Sequence, residues 1–577
     1  MSSALLKRSI LPILGVALLL RFWGLDYGLP NIYLTDEWFE VKRALKLGAG
    51  VFDLERVGKG GYYYLLFVMF GFYFVWMKLF GAISGSSDFL VSMFRDPSGL
   101  WLVGRSTTAL IGTFNVWLIY RLGVCFRGRA VGLLAALLLA INMMHVRSSH
   151  SITVDVPMVC ALTGGLLLVY AWRDRESLSG AQYAMLGVVT AIATATKLPA
   201  AVFGICVLML HWIHVRRTGR PFIIDYILDR RLWCFALGSL IYIGLEPGIV
   251  IKIGDILRLL LSFFTPSQGI NPSDLPYPVL PDRFGAIPVF YWFSLFPLKY
   301  TILPLLFVVG VVGAWRRDGF LRHPGIVFAL IFAAFLISSK NPHQIYERYV
   351  LPLVPIVLLY VASSLVDIHD WLRRRPLWAR GMSLLALLVI SIPMLSSTIA
   401  LNIDYGRPDT RTAAKEWVED NVPAGSSIYL AGGLVRASAL TAQLKMRPEQ
   451  VDEKVYGRLG ETGASMTGDK SAFYDAYKRA LAEMPVTYEL ILLDDAADLG
   501  RALDEGRGEW ALLVQEAREL FDHQMNREMF PEQWRLWHAT EMGQYEVVQE
   551  FARQPGWLGP HLILYRRATH QNRETQP

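Results

Sequence analysis

Polar and apolar positions divide this chain into two regimes. From the N-terminus to about Ala400, apolar runs of roughly 16 to 22 residues alternate with short polar connections, and each run is long enough to carry a helix across roughly 30 Å of hydrocarbon. The runs fall near 9–27, 101–120, 130–149, 156–172, 182–196, 199–213, 232–250, 298–314, 324–339, 349–366 and 381–400, which predicts about eleven transmembrane helices. Beyond residue 401 the period changes. The stretch "PDTRTAAKEWVEDNVPAG" (408–425) puts Ala413, Trp417 and Val418 on one helical face and ends on a Pro and Gly stop. "SSIYLA", "YELILLDD" and "HLILYRR" have the form of short buried strands, separated by helical stretches such as "EWALLVQEARELFDHQM". The pattern predicts a membrane domain over 1–400 and an α/β domain over 401–577.

Composition agrees with a polytopic membrane protein: of 577 residues 53% are hydrophobic and 18% charged, too apolar for an ordinary soluble chain. Lys7 and Arg8 precede the first run and no small-residue cleavage site follows, so that run reads as a retained helix rather than a removed signal peptide. Cys125, Cys160, Cys206 and Cys234 sit inside apolar runs without CxxC spacing, which points to packing rather than to a disulfide framework or a zinc site.

The net charge of +7 is unevenly distributed, with 36 Lys/Arg against 21 Asp/Glu before residue 401 and 20 against 28 after it. A basic front half can signal nucleic acid, but these cations cluster in short connections: Lys7/Arg8, Arg121/Arg127/Arg129, Arg173/Arg175, Arg216/Arg217/Arg220, Arg316/Arg317/Arg322 and Arg373/Arg374/Arg375. With the spans above, all six fall on one side, which the positive-inside rule makes cytoplasmic. Nucleic acid is not an expected partner. One segment, "YYYLLFVMFGFYFVWMKLF" (62–80), is apolar enough to cross, but a single crossing there would turn every later basic loop outward, so parity places it in the outer interface or as a dipping pair. The outer side then carries residues 28–100, 145–155, the turn at Thr196 and Lys197, a Pro-rich loop over 251–297, 340–349 and the tail.

No Walker A loop, G-x-S-x-G elbow, H-E-x-x-H or dinucleotide fingerprint occurs. What gathers on the outer side is a set of acids and bases: Asp36 and Glu37 after the first helix, Asp155 at the head of the fourth, and Lys59, Arg147, His150, Lys197 and Arg348 at similar depth. Carboxylates beside cations suit transfer chemistry, in which one group deprotonates an alcohol while others hold a phosphate leaving group.

The motifs "TDEW", "RSSHSITVDVPM", "ATKLPA", "ERYVLPLVPIVLL" and "GRPDTRTAAKEWVEDNVPAGSSI", in this order, resemble the bacterial glycosyltransferases of family 39. That group is of GT-C type and includes the protein O-mannosyltransferases and the aminoarabinose lipid A transferase. The resemblance covers the chain to about residue 430. It implies a polyprenyl-phosphate sugar as donor, a lipid, glycan or protein acceptor, inversion at the sugar and a site on the outer face of a bacterial inner membrane. It assigns the base to Asp36, with Glu37 as neighbour and substitute, and makes Asp155 the second acidic position. Lys59 matches the lysine near the donor phosphate, but Gly58 stands where the aminoarabinose enzyme has glutamate, and "GKGGYY" lacks the His-Pro-Pro of many relatives. That departure leaves no assigned metal site, with a divalent cation still open.

Structural roles compete with each assignment. Asp36 or Glu37 could cap a loop helix or neutralise Lys42 and Arg43, Asp155 could be a helix N-cap, and Lys197 could snorkel to the interface. Arg348 could pair with Glu347, whereas Arg147 and His150 read better as substrate contacts than as parts of a zinc site with His145. Two other classes compete with the enzyme: a lipid or solute transporter, against which the absence of a detectable internal repeat counts, and a non-catalytic scaffold.

Overall fold

The computed structural model describes residues 10–48, 60–217, 226, 228–251, 253–254, 287–297, 302–319, 322–338, 346–375, 377–430, 443–452, 468–493, 495–552, 554 and 558–568. Lys7, Arg8, Lys59, Arg220 and most of the 251–297 loop lie outside them.

The membrane part is a helical bundle. In chain order it contains α1 (Ile10–Phe22), α2 (Thr35–Gly48), α3 (Gly60–Leu79), α4 (Ser86–Arg95), α5 (Ser98–Arg127), α6 (Arg129–Ala140), α7 (Met143–Ser149), α8 (Asp155–Trp172) and α9 (Gly180–Thr196). It continues with α10 (Gly204–Arg216), α11 (Arg230–Ser239), α12 (Ile287–Leu295), α13 (Leu303–Asp318), α14 (Pro324–Ser338), α15 (Val354–Leu372) and α16 (Leu377–Tyr405). Among the described residues, six helices are long and apolar enough to cross a bilayer, or seven if the α6 and α7 pair, bent by 61°, is one broken span. The eleven runs of the sequence are thus cut more finely than their hydropathy shows. The 232–250 run, for example, breaks at Leu240 and again at Glu246 and Pro247, because Pro cannot continue the helical hydrogen bonding.

Three elements share one polarity. α5, α8 and the 3-10 turn Glu347–Leu353 that leads into α15 all begin at the same end of the bundle, where Arg105 meets Glu37 and Arg348 meets Asp155. At their far ends Arg127 and Arg317 share Asp367, and Arg322 pairs with Asp174 beside Arg173. The basic loops and the acidic site therefore cap opposite ends of the same helices. Helix α3, the aromatic 62–80 segment, is a single 20-residue helix of span length. It starts with Gly61 against Thr196, then pairs Tyr62 with Thr108, Phe70 with Gly104 and Tyr73 with Gly99. It thus runs along α5 toward the α5 N-terminus and away from Arg127.

The tail is a five-stranded sheet with helices on both faces. It comprises α17 (Thr410–Asn421), β1 (Ser427–Leu430), α18 (Gly468–Ala482), β2 (Glu489–Leu492), α19 (Ala496–Asp504), β3 (Trp510–Val514), α20 (Pro531–Glu541), β4 (Tyr545–Phe551) and β5 (Leu562–Arg567). The strand order is β2-β1-β3-β5-β4, parallel across β2, β1 and β3 and antiparallel at β5 and β4. Strand alternation sends Ile428 and Leu430 to one core with Ala414 and Val418, and Tyr429 to the other with Leu499 and Trp537. The expected α17, β1, β2 and β5 are present. The expectation of helix through "EWALLVQEARELFDHQM" is corrected at its start: Trp510–Val514 is strand β3, buried at every position. A strand covered on both faces has no polar side, so its sequence looks like that of a buried helix.

Candidate active site

The site forms where three breaks in helical structure meet. After α1 the chain turns with Gly24 and Gly28 in the left-handed region, at φ 80° and 75°, a conformation that favours Gly. Arg105, inside the membrane run of α5 and almost fully buried, donates from Nη1 to the carbonyls of Leu25 and Tyr27 at 2.9 and 2.7 Å. The same guanidinium holds Glu37 in bidentate fashion, Nε to Oε1 at 2.9 Å and Nη2 to Oε2 at 2.8 Å. Glu37 Oε1 also accepts the Ile152 N–H at 3.0 Å. Glu37 therefore ties the first loop both to α5 and to the turn before α8, and it is fully buried.

Its neighbour points elsewhere. Consecutive helical residues are about 100° apart, so only one of the pair can face a given direction. Asp36, with a side chain 40% exposed, meets Arg348 through an Oδ2 to Nη1 contact of 2.5 Å. Asp155, at the first position of α8 and 3% exposed, lies 3.8 Å from Nε of the same arginine through Oδ2. Its Oδ1 accepts from Lys197 Nζ at 2.6 Å. Lys197 is placed by the break between α9 and a 3-10 turn, where an extended residue precedes Leu198 and Pro199. Its ammonium stands 4.6 Å from the Tyr349 ring centre, and the Arg348 guanidinium stands 4.6 Å from that of Tyr346, within cation–π range.

Four of the residues that the sequence marks as candidates thus form one continuous ionic chain, Asp36–Arg348–Asp155–Lys197. Arg147 joins its rim through Glu347, at 2.5 Å, with both side chains partly exposed. His150 stands apart: its ring nitrogens lie 2.8 Å from the Val146 carbonyl and 3.0 Å from that of Trp23, and the ring is buried against Tyr405. Those contacts splice α7 to the end of α1 and leave His150 outside the ionic chain. Glu37 is likewise buried, with both carboxylate oxygens on Arg105. Lys59 lies outside the described residues. Arg105, Tyr346 and Tyr349 join the site without being among the residues expected there. For Arg105 the sequence does hold a signal, since an ionisable residue inside a span is a functional or structural anchor by default.

Two carboxylates and two cations balance one another, so the cluster carries no net formal charge as it stands. Arg348 is the one cation of the four-residue chain that Asp36 contacts, whereas Asp155 contacts both Arg348 and Lys197, so a displacement of Arg348 would uncover Asp36 and leave Asp155 neutralised. Among the described residues no group of three or more His, Cys, Asp or Glu is arranged to hold a metal ion.

Comparison with known proteins gives the chain its setting. Residues 99–228 match the family model described as dolichyl-phosphate-mannose-protein mannosyltransferase. No curated protein matches the chain. Among solved structures, ArnT from Cupriavidus metallidurans in the apo state is similar over 98% of each chain, at 13% identity and a TM-score of 0.50. The Archaeoglobus fulgidus oligosaccharyltransferase in the apo form is similar over 90% of this chain and 70% of its own, at 12% identity and a TM-score of 0.51. At such identities the likeness is one of fold, and it bears out the GT-C architecture expected from the sequence.

Proposed function

We propose that this chain, a glycosyltransferase of GT-C type, moves a sugar from a polyprenyl-phosphate donor to an acceptor hydroxyl or phosphate. The observation that carries the reading is the bridge from Asp36 through Arg348 to Asp155, with Lys197 beside it, at one end of a membrane bundle. A lipid-borne substrate delivers its headgroup at such a depth, and the description of the matched family, a dolichyl-phosphate-mannose transferase, names a donor of the same chemical class. The site end is the outer face in this reading, because the opposite ends of the helices carry the basic loops.

The division of labour follows from charge. Arg348 turns from Asp36 to the donor phosphate and, with Lys197, stabilises the negative charge that grows on it as the sugar C1–O bond breaks. Asp36, released from Arg348, accepts the proton of the acceptor hydroxyl as its oxygen attacks C1 from the opposite side, which inverts the anomeric centre. Asp155, nearly buried, keeps Lys197 and Arg348 aimed into the site. Glu37 and Arg105 hold the loop that presents Asp36.

The test is release of polyprenyl phosphate from a panel of polyprenyl-phosphate sugars by the purified protein in lipid with membrane extract as acceptor source, and Asp36→Asn as control. Release with one sugar that the substitution abolishes identifies the donor. A folded protein that releases none shifts the balance to a transporter or scaffold of the same fold.

A further inference from the structure

The α/β domain grips the first loop on both sides of Asp36. On one side, Arg411 at the start of α17 lies 3.7 Å over the Tyr33 ring, donates to the Tyr27 hydroxyl at 3.0 Å and pairs with Asp409 at 2.7 Å, almost wholly buried. Around it, the Tyr33 and Thr412 hydroxyls are 2.6 Å apart, Lys415 Nζ lies 3.3 Å from Asn31 Oδ1, and Gln443 Nε2 donates to the Ile32 carbonyl at 2.5 Å. Those contacts fix residues 27–33, immediately before α2. On the other side, Ala476 and Ala480 of α18 pack on Val91 of α4, and Tyr477 lies 5.0 Å from the Phe94 ring. Phe94 in turn lies 5.9 Å from Trp38, two residues after Asp36, and Trp38 stacks on Trp101 of α5 at 6.0 Å. Arg95 and Glu483 close this contact as an ion pair, as do Arg479 and Ser87 by a hydrogen bond.

We infer that the α/β domain acts as a positioning clamp: Arg411 and Tyr477 set the rotation and depth of the first turn of α2, and through it the carboxylate of Asp36. The inference rests on the reading of Asp36 as the base. Its physical basis is leverage. α2 opens on a loop with two left-handed glycines, the residue type with the widest backbone freedom, so contacts with neighbouring elements set the conformation it holds. Within the membrane domain Glu37 is held by Arg105 and by the Ile152 N–H, and farther along α2 Val41 and Ala44 pack against α3. The Tyr33 contact before the first turn of α2 and the Tyr477–Phe94–Trp38 contact after it add the α/β domain's hold on the turn that carries Asp36. A buried, stacked guanidinium suits the task because its planar fork holds several partners at fixed angles.

The test uses the full chain in lipid with Arg411→Gln and Tyr477→Ala made separately, so that a folding failure in one leaves the other informative. Turnover is measured at saturating donor, together with the donor KM. In parallel, the thiol introduced by Asp36→Cys is labelled with a water-soluble maleimide in the presence and absence of each clamp substitution, with labelling of the four native cysteines subtracted. The expected result is a fall in kcat of about tenfold or more with donor KM within about twofold, since misplacement of a reacting group by about 1 Å costs up to 10²-fold. Maleimide labelling at position 36 rises severalfold in the same backgrounds, and Arg411→Lys, which keeps a cation on Tyr33, recovers part of both. Folded variants with unchanged labelling overturn the clamp, whether or not kcat falls. If the unsubstituted chain transfers no sugar, the functional reading fails by itself and the labelling still decides the clamp.

Discussion

Arg348 and Asp36 meet at 2.5 Å although one precedes the last two helices of the membrane bundle and the other follows its first. The contact makes the proposed base and the proposed phosphate ligand mutually exclusive partners. Asp36→Asn removes the proton acceptor and loosens the hold on Arg348 at once. The expected outcome is a loss of turnover of about 10² to 10⁴-fold, the range of a general base, with donor affinity unchanged or slightly tighter. Single-turnover transfer compared with equilibrium binding of the donor checks it, and a matching loss of affinity would remove Asp36 from the role of base.

Arg348 itself should not tolerate lysine. Its Nη1 faces Asp36 while its Nε faces Asp155, a span that a point-charge ammonium cannot reproduce. Arg348→Lys is expected to raise the donor KM by roughly tenfold, and Arg348→Ala or Lys197→Ala by more, about 1.4 kcal/mol for each tenfold. Titration with polyprenyl phosphate alone measures the loss without turnover. Retention of wild-type affinity in Arg348→Ala would leave the arginine a structural ion pair.

Much of this site is legible because charge is conspicuous in an apolar chain. Asp36, Asp155, Lys197 and Arg348 stand at the ends of hydrophobic runs, and the positive-inside pattern places them on one side. What the pattern does not distinguish is direction. Asp36 and Glu37 are adjacent letters, yet only the bidentate contact with Arg105 shows which one turns into the bundle. The partners of His150 are equally silent in the sequence, being the carbonyls of Val146 and Trp23, which carry no side-chain signature. In the tail, "WALLV" has neither a period of 2 nor one of 3.6 because both faces of β3 are covered.

Glu37 provides a contrast with its neighbour. Removing its charge leaves Arg105 buried without a counterion, a change that costs about 3–5 kcal/mol in soluble proteins. Glu37→Gln is therefore expected to lower the melting temperature of the protein in detergent strongly, whereas Asp36→Asn, at a partly exposed position, leaves it nearly unchanged. Molecules of Glu37→Gln that do fold are expected to keep turnover within about tenfold of wild type, the level below a general base's usual contribution. Unchanged stability accompanied by lost turnover would reverse the assignments of the two acids.

Lys445 supplies a prediction of the opposite sign. It lies at the junction of the α/β domain with the first loop, beside Gln443, and burial followed by repulsion from Lys415 lowers its pKa from 10.5 to about 8, against a smaller opposing pull from Glu419. A lysine that binds its proton less tightly in the folded than in the unfolded chain destabilises the fold wherever it is charged. Below about pH 8 both states are protonated and the whole cost is present; between about 8 and 10.5 the folded chain releases the proton first, so stability rises with pH across that window. Lys445→Met keeps the aliphatic stem and deletes the charge. It is expected to stabilise the α/β domain by about 1–3 kcal/mol at pH 7, since a tenfold weakening of proton binding corresponds to about 1.4 kcal/mol, and to flatten the rise above pH 8. Amide hydrogen exchange of the full chain across β3 and β5, which form the centre of this domain's sheet, measures both effects as a function of pH. A destabilised Lys445→Met would mean that the ammonium holds a partner that repays its burial, and the pH slope would then persist in the variant only if that partner were itself titrating.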